Sequence, residues 1–267
     1  MPEGAVVVNR VALWLVAGVA VAGSLTSCVR LVQQTARDES TVTDRITTIR
    51  VQNDSGEVTI RSADGVKDTV VRRVINYPKN ADKPTDPTTR VEGSTLVLDG
   101  CDNQCSVSYD VTVPSADTKV TGDSSSGDVR VEGVASVELS ISSGTATLRK
   151  VSGPVHLDAK SGDVVASDVS GAFTALVGSG TTTLTDMKGP VTVDGRSGDI
   201  SVTMATAQNV KADASSGDVN VTVPQGKYHV RTDAGSGDNR VSVADDPNGT
   251  AEIVLDTKSG NVVLRTA

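Results

Sequence analysis

The chain has 267 residues, a formal net charge of -8, 25 glycines and only 2% aromatic residues. An acidic chain without clustered Lys and Arg is not built to hold a phosphate backbone, so no nucleic-acid partner is expected. The single Trp lies in the N-terminal apolar run, and one Phe and three Tyr for the remainder cannot fill a large aromatic core.

The first feature along the chain is VALWLVAGVAVAGSL, residues 11–25, an uncharged apolar run preceded by Arg10. It is shorter than the roughly 20 residues a spanning helix needs, and it suits the h-region of a signal peptide. The run ends in LTSC, residues 25–28, which resembles a bacterial lipobox. That resemblance implies removal of residues 1–27 and a lipid on Cys28 that holds the chain to the membrane; an uncleaved membrane anchor is the alternative. Either reading puts the rest of the chain outside the cytoplasm. The polar residues 28–45 read as a tether, partly helical.

Residues 46–120 carry strand-like alternation in RITTIRVQNDSGEVTIRS, DTVVRRVINY and STLVLDG, interrupted by the Pro-rich loop PKNADKPTDPTTR at 78–90. One SGE occurs at 55–57 with no regular step to a successor. This block is expected to be a β-meander that caps the region from residue 121 onward. It contains CDNQC. With Cys28 assigned to the lipid, Cys101 and Cys105 remain, and an exported chain favours a disulfide between them. A zinc half-site is the rival reading, but it needs further ligands. Only His156 and His229 are on offer, each read as an ordinary strand residue.

From residue 121 onward one short phrase recurs: SSGDVRV, SSGTATL, KSGDVVA, GSGTTTL, RSGDISV, SSGDVNV, GSGDNRV and KSGNVVL. Its glycines are Gly127, Gly144, Gly162, Gly180, Gly198, Gly217, Gly237 and Gly260, at steps of 17, 18, 18, 18, 19, 20 and 23. A near-constant step marks a repeat fold. In VKADASSGDVNVTV, residues 210–223, apolar residues alternate with polar ones on both sides of the Ser-Gly-Asp. Alternation is the period of a half-buried strand, so each unit is strand, corner, strand, turn. Two such strands bury no core alone; stacked units do. The expectation is an all-β solenoid of roughly 18-residue rungs with an N-terminal β cap, one continuous domain over 46–267. A β-sandwich of hairpins is the alternative, and the constant step favours the solenoid. Gly suits a positive-φ corner, and Asp and Ser bond to nearby backbone groups. The phrase therefore reads as architecture.

The chemical rival is a calcium column formed by Asp128, Asp163, Asp199, Asp218 and Asp238. Calcium takes six to eight oxygens, whereas Thr145, Thr181 and Asn261 interrupt the acidic series. No metal, cofactor or catalytic residue is assigned. No nucleophile elbow, HExxH or phosphate loop is present, and the carboxylates recur with the units instead of forming one distinguished pair.

The segment SVSYDVTVPSADTKVTGDSSSGDVRVEGVASVELSISSG, residues 106–144, resembles the bacterial putative-adhesin family known as domain of unknown function 4097, whose members join a strand ending in VP to rungs of SGDV. The likeness extends over roughly 46–267. It implies a β-solenoid-like fold at the cell envelope and no catalytic residues. The expected function is a non-catalytic envelope module, a lipid-tethered adhesin or scaffold with an envelope or surface partner. The alternatives are an envelope-stress regulatory component and, less favoured, a carbohydrate-active β-helix enzyme.

Overall fold

The computed structural model describes residues 33–82, 84, 87–101 and 104–267. Cys28 and the apolar run lie outside these residues. The period-two patterning produces strands only: β1 (Gln33–Val42), β2 (Thr48–Ser55), β3 (Val58–Ser62), β4 (Thr69–Pro78), β5 (Thr89–Glu92), β6 (Thr95–Asp99) and β7 (Ser106–Val113) in the first part of the chain. The repeats supply β8 (Lys119–Ser126), β9 (Val129–Val134), β10 (Ser136–Ser143), β11 (Ala146–Val151), β12 (Val155–Ser161), β13 (Val164–Val169), β14 (Phe173–Ser179) and β15 (Thr182–Met187). They continue as β16 (Val191–Ser197), β17 (Ile200–Met204), β18 (Val210–Ser216), β19 (Val219–Val223), β20 (Tyr228–Asp233), β21 (Asn239–Val241), β22 (Ala251–Thr257) and β23 (Val262–Thr266).

The strands form two sheets, and each rung gives one strand to each. The first sheet runs β1-β4-β7-β3-β9-β11-β13-β15-β17-β19-β23-β21, the second β20-β22-β18-β16-β14-β12-β10-β8-β2-β6-β5. Consecutive rungs pair in parallel with like residues in register, as in Val137–Val155, Val155–Phe173 and Phe173–Val191. The expected solenoid is therefore what the chain forms. Inward positions are sealed: Val155, Leu157 and Ala159 of β12 and Val164, Ala166 and Val169 of β13 are all at most 3% exposed. Each such Val or Leu contributes about 1.5–3 kcal/mol on burial. Bulk is accommodated by local compensation: Phe173, fully buried, is followed at the next inward position by Ala175.

The spatial order of rungs departs from chain order at both ends. The β2–β3 rung lies between β6–β7 and β8–β9. The last pair, β22–β23, lies between β18–β19 and β20–β21. Three sequence expectations change accordingly. Residues 46–120 are not a simple meander: they contain two full rungs, with antiparallel strands added only at the rim, where β5 pairs with β6 and β1-β4-β7 run antiparallel. Residues 33–42, assigned to the tether, form β1. Its backbone pairs with β4 while most of its side chains stay exposed, so no apolar alternation betrays it. The step of 20 from Gly217 to Gly237 is not a stacking step either, because Gly260 lies on Gly217 and Gly237 lies on Gly260.

The corners explain the constant unit length. Gly127, Gly144, Gly162, Gly180, Gly198, Gly217 and Gly260 all have φ between 116° and 150°. Gly56 of the lone SGE, at φ 112°, extends the same file below Gly127. Gly237 does not adopt positive φ; it must be glycine because a Cβ there would meet the Gly260 carbonyl. At Gly198 both constraints act: φ is 123°, and a Cβ would fall on the Gly180 carbonyl, well inside van der Waals contact. Gly198→Val is therefore expected to cost more than the roughly 1–3 kcal/mol of backbone strain alone. Thermal melting should show a drop of several degrees, at about 2–4 °C per kcal/mol for a chain of this size.

Candidate functional surface

Three groups of side chains could carry function: the corner file, the cysteine pair and the outward faces of the sheets. In the corner file, aspartate serves as an acceptor between rungs. Asp128 Oδ1 accepts the N–H of Thr145 at 2.9 Å, Asp163 that of Thr181 at 2.8 Å, Asp199 that of Asp218 at 2.9 Å, and Asp218 that of Asn261 at 2.8 Å. Asn261 Oδ1 then accepts the Asp238 N–H at 3.0 Å. The threonines that interrupt the acidic series thus alternate with its acceptors. Among the described residues no three His, Cys, Asp or Glu side chains are grouped as a metal would require. Since Asn261 already performs this task, Asp199→Asn is expected to shift stability by less than about 1 kcal/mol. Melting of that variant and of the wild type should be the same with calcium as with chelator.

Cys101 and Cys105 are joined by a disulfide, with Cα atoms 5.9 Å apart. The bridge sits between β6 and β7, at the corner of an end rung that has no Ser-Gly-Asp. Both cysteines pack against the core, and Ser55 Oγ of the next corner donates to the Cys105 carbonyl. The disulfide thus closes a corner that glycine does not. His156 and His229 lie on the second sheet's strands β12 and β20, at opposite ends of the series β20-β22-β18-β16-β14-β12, and neither lies beside this bridge. His229 Nδ1 is 3.0 Å from Asp245 Oδ1, which also accepts the Val230 N–H at 2.9 Å. These bonds, the backbone one foremost, hold the Asp245 carboxyl below its usual range. Replacing both cysteines by Ser is expected to cost about 2 kcal/mol, the loop-closure value for so short a loop, read as a lower melting temperature than that of the oxidised wild type.

Few aromatic rings are present, and two of them mark the ends of the stack. Tyr109 on β7 is buried with its hydroxyl 2.7 Å from the Thr88 carbonyl and 2.6 Å from that of Asp99; burial pushes its pKa up to about 12. Tyr228 on β20 is buried and donates to the Pro224 carbonyl.

The outward face of the second sheet carries a register column in which Asp194, Asp213, Asp256 and Asp233 lie on successive strands. Burial first, then the Asp213 and Asp233 carboxylates, push the Asp256 carboxyl upward against a smaller pull from Lys258. A raised acid costs stability once ionised and nothing when protonated. Asp256→Asn is therefore expected to raise the melting temperature at pH 7, with the gain fading as pH falls through the carboxyl's titration. Further along the same face, Asp158, Lys160, Leu176, Gly178, Asp194 and Arg196 surround a shallow hollow of about 400 Å³. The leucine at its centre carried no signal in the sequence, where it is one apolar residue in an alternating strand.

Stacked SGD corners, parallel two-strand rungs and a sealed aliphatic interior define a β-solenoid-like repeat protein. The sequence matches the Toastrack family, DUF4097, over residues 40–172 and again over 111–265, and the chain belongs to that family. No curated protein matches it. Among solved structures, a putative adhesin from Bacteroides fragilis NCTC 9343 is similar with TM-score 0.51 at 14% identity, covering 88% of this chain and 97% of its own. A putative cell adhesion protein from Clostridium sporogenes ATCC 15579 aligns with TM-score 0.25 at 10% identity, covering 88% of this chain and 100% of its own. A putative adhesin from Parabacteroides distasonis ATCC 8503 aligns with TM-score 0.33 at 12% identity, covering 86% and 97%.

Proposed function

We propose that the chain is a non-catalytic binding or scaffolding module of the bacterial cell envelope, exported and tethered to the membrane through a lipid on Cys28. The observation that carries the reading is how the rungs use their residues. Inward positions are consumed by packing and corner carboxylates by inter-rung hydrogen bonds. What remains are two faces of polar side chains repeated about every 4.8 Å, an arrangement suited to contact with an extended partner. The disulfide fits an oxidising compartment, and the adhesin name of the Bacteroides fragilis neighbour supports a role at the surface.

Two measurements test the parts separately. Cys28→Ala is expected to abolish the lipid mass increment and move the protein out of the membrane fraction; unchanged fractionation and mass would overturn the anchor. Sedimentation of the full chain with purified peptidoglycan or envelope polysaccharide tests binding. Cross-linking in intact cells that captures no envelope component would overturn the scaffold role.

A further inference from the structure

We infer that the hollow on the outward face of the second sheet is a self-complementary contact between two copies of this chain. Register places Asp158, Leu176 and Asp194 side by side on β12, β14 and β16. Two residues further along each strand come Lys160, Gly178 and Arg196, between the registered sets Ala159–Val177–Gly195 and Ser161–Ser179–Ser197. The patch is therefore two short columns about 6.7 Å apart along the strands, with rungs about 4.8 Å apart. One column reads acid, leucine, acid; the other reads base, glycine, base.

Two members of the patch, Leu176 and Gly178, depart from ordinary surface chemistry. Leu176 is 45% exposed, the most open of the exposed large hydrophobic residues among the described residues. Gly178 leaves the matching depression. It has ordinary backbone conformation, yet a Cβ would press on the Lys160 carbonyl. All four charges are exposed. Lys150 and Lys188 reach carboxylates across rungs, at Glu132 and Asp168, whereas Asp158, Lys160, Asp194 and Arg196 form no ion pair within the described residues.

Now place a second copy face to face, related by a two-fold axis parallel to the stacking direction and midway between the two columns. Strand direction reverses and rung order is kept. Asp158 then meets the other copy's Lys160, Asp194 meets its Arg196, Leu176 meets its Gly178, and each contact occurs twice. An isologous interface requires such self-complementarity. A two-fold along the strands would instead set Asp158 against Asp194 and Lys160 against Arg196, like against like, which is penalised. The permitted axis also keeps both stacks pointing the same way, so the two β1 strands lie at the same end. The patch is small beside a stable interface of about 1,200–2,000 Å², so the contact is weak in solution and gains from the effective concentration that a shared surface supplies. It stands without Cys28 lipidation, needing only the folded face.

The test uses two differently tagged full-length copies expressed together, cross-linked in intact cells and then purified through one tag. Wild type with wild type is expected to co-purify. Two copies carrying Lys160→Asp with Arg196→Asp should lose each other, as should two copies carrying Asp158→Lys with Asp194→Lys. Recovery of the second tag should fall about tenfold or more, because each change sets like charges face to face. Pairing one variant with the other restores opposite charges at every contact and is expected to restore recovery. Leu176→Asp should also separate the copies, with an unchanged melting temperature showing that the fold is intact. Failure of wild type to co-purify, recovery unchanged by the reversals, or no rescue in the mixed pair would overturn the inference. The glycan sedimentation and Cys28 fractionation read separately from it.

Discussion

At every Ser-Gly corner the backbone of one rung approaches the backbone of the next so closely that no Cβ fits between them, and the rest of the molecule depends on that approach. A glycine recurs at the same point of each Ser-Gly unit, so consecutive units from Gly127 to Gly217 place nearly the same number of residues around the loop. The register this imposes brings like residue upon like residue in both sheets. Wide rings would have to stack on wide rings, and the interior is instead mainly Val, Ala, Leu, Ile and Thr; Phe173 lies in a middle rung with Ala175 beside it, and Tyr109 and Tyr228 lie in the end rungs. The inter-rung bonds from Asp128, Asp163, Asp199 and Asp218 are a second consequence. Only when corners lie directly above one another can a short carboxylate reach the next backbone N–H.

Stacking by repetition leaves two ends with unpaired strands, a template for unwanted pairing. The ends are handled differently. At one, antiparallel strands close the rim, and β1 presents Arg37, Asp38 and Glu39 at the edge; Asp38 and Glu39 pair with Arg73 and Arg72. At the other, the loop after β21 covers β20. Asp246 N–H bonds to the Tyr228 carbonyl, Asp245 takes the Val230 N–H, and Asn239 Nδ2 donates to the Thr232 carbonyl. In both places the outermost rung is also displaced by a later or earlier one threaded beneath it. The cap rung β20–β21 pairs with β22–β23 and not with β18–β19, the rung that precedes it in the chain.

Much of the fold was legible because the repeat is written in residues that the backbone demands. The unit of strand, corner, strand and turn could be read from alternation around Ser-Gly-Asp, and its stacking from the constant step. The rung order at the ends was not legible. Nothing in the steps of 20 and 23 says that Gly260 belongs on Gly217, since pairing partners are chosen in space by edge complementarity and not by distance along the chain. Ser55-Gly56-Glu57 is the same corner written once, and without a neighbour at the usual step it looked like an isolated turn. β1 was hidden for the opposite reason: a strand exposed on both faces needs no apolar alternation.

In a repeat the informative positions are those that break the pattern at a cost to the stack. One such file is Gly133, Lys150, Asp168 and Asp186, at matching positions of β9, β11, β13 and β15, all with φ between 53° and 69°. Three of the four are not glycine, so each bears left-handed strain of order 1 kcal/mol that glycine would avoid. Lys150 and Asp168 use the position for ion pairs between rungs, with Glu132 and Lys188. Glu132 is held below its usual range chiefly by its bond to Lys150, so this strain is returned as contact within the fold. Leu176 is the opposite case. An outward leucine in a polar column exposes apolar surface that a Thr, as at Thr174 and Thr192 on the same face, would not. The apolar surface of Leu176 points away from the stack, and the pairing of two copies inferred above would cover it.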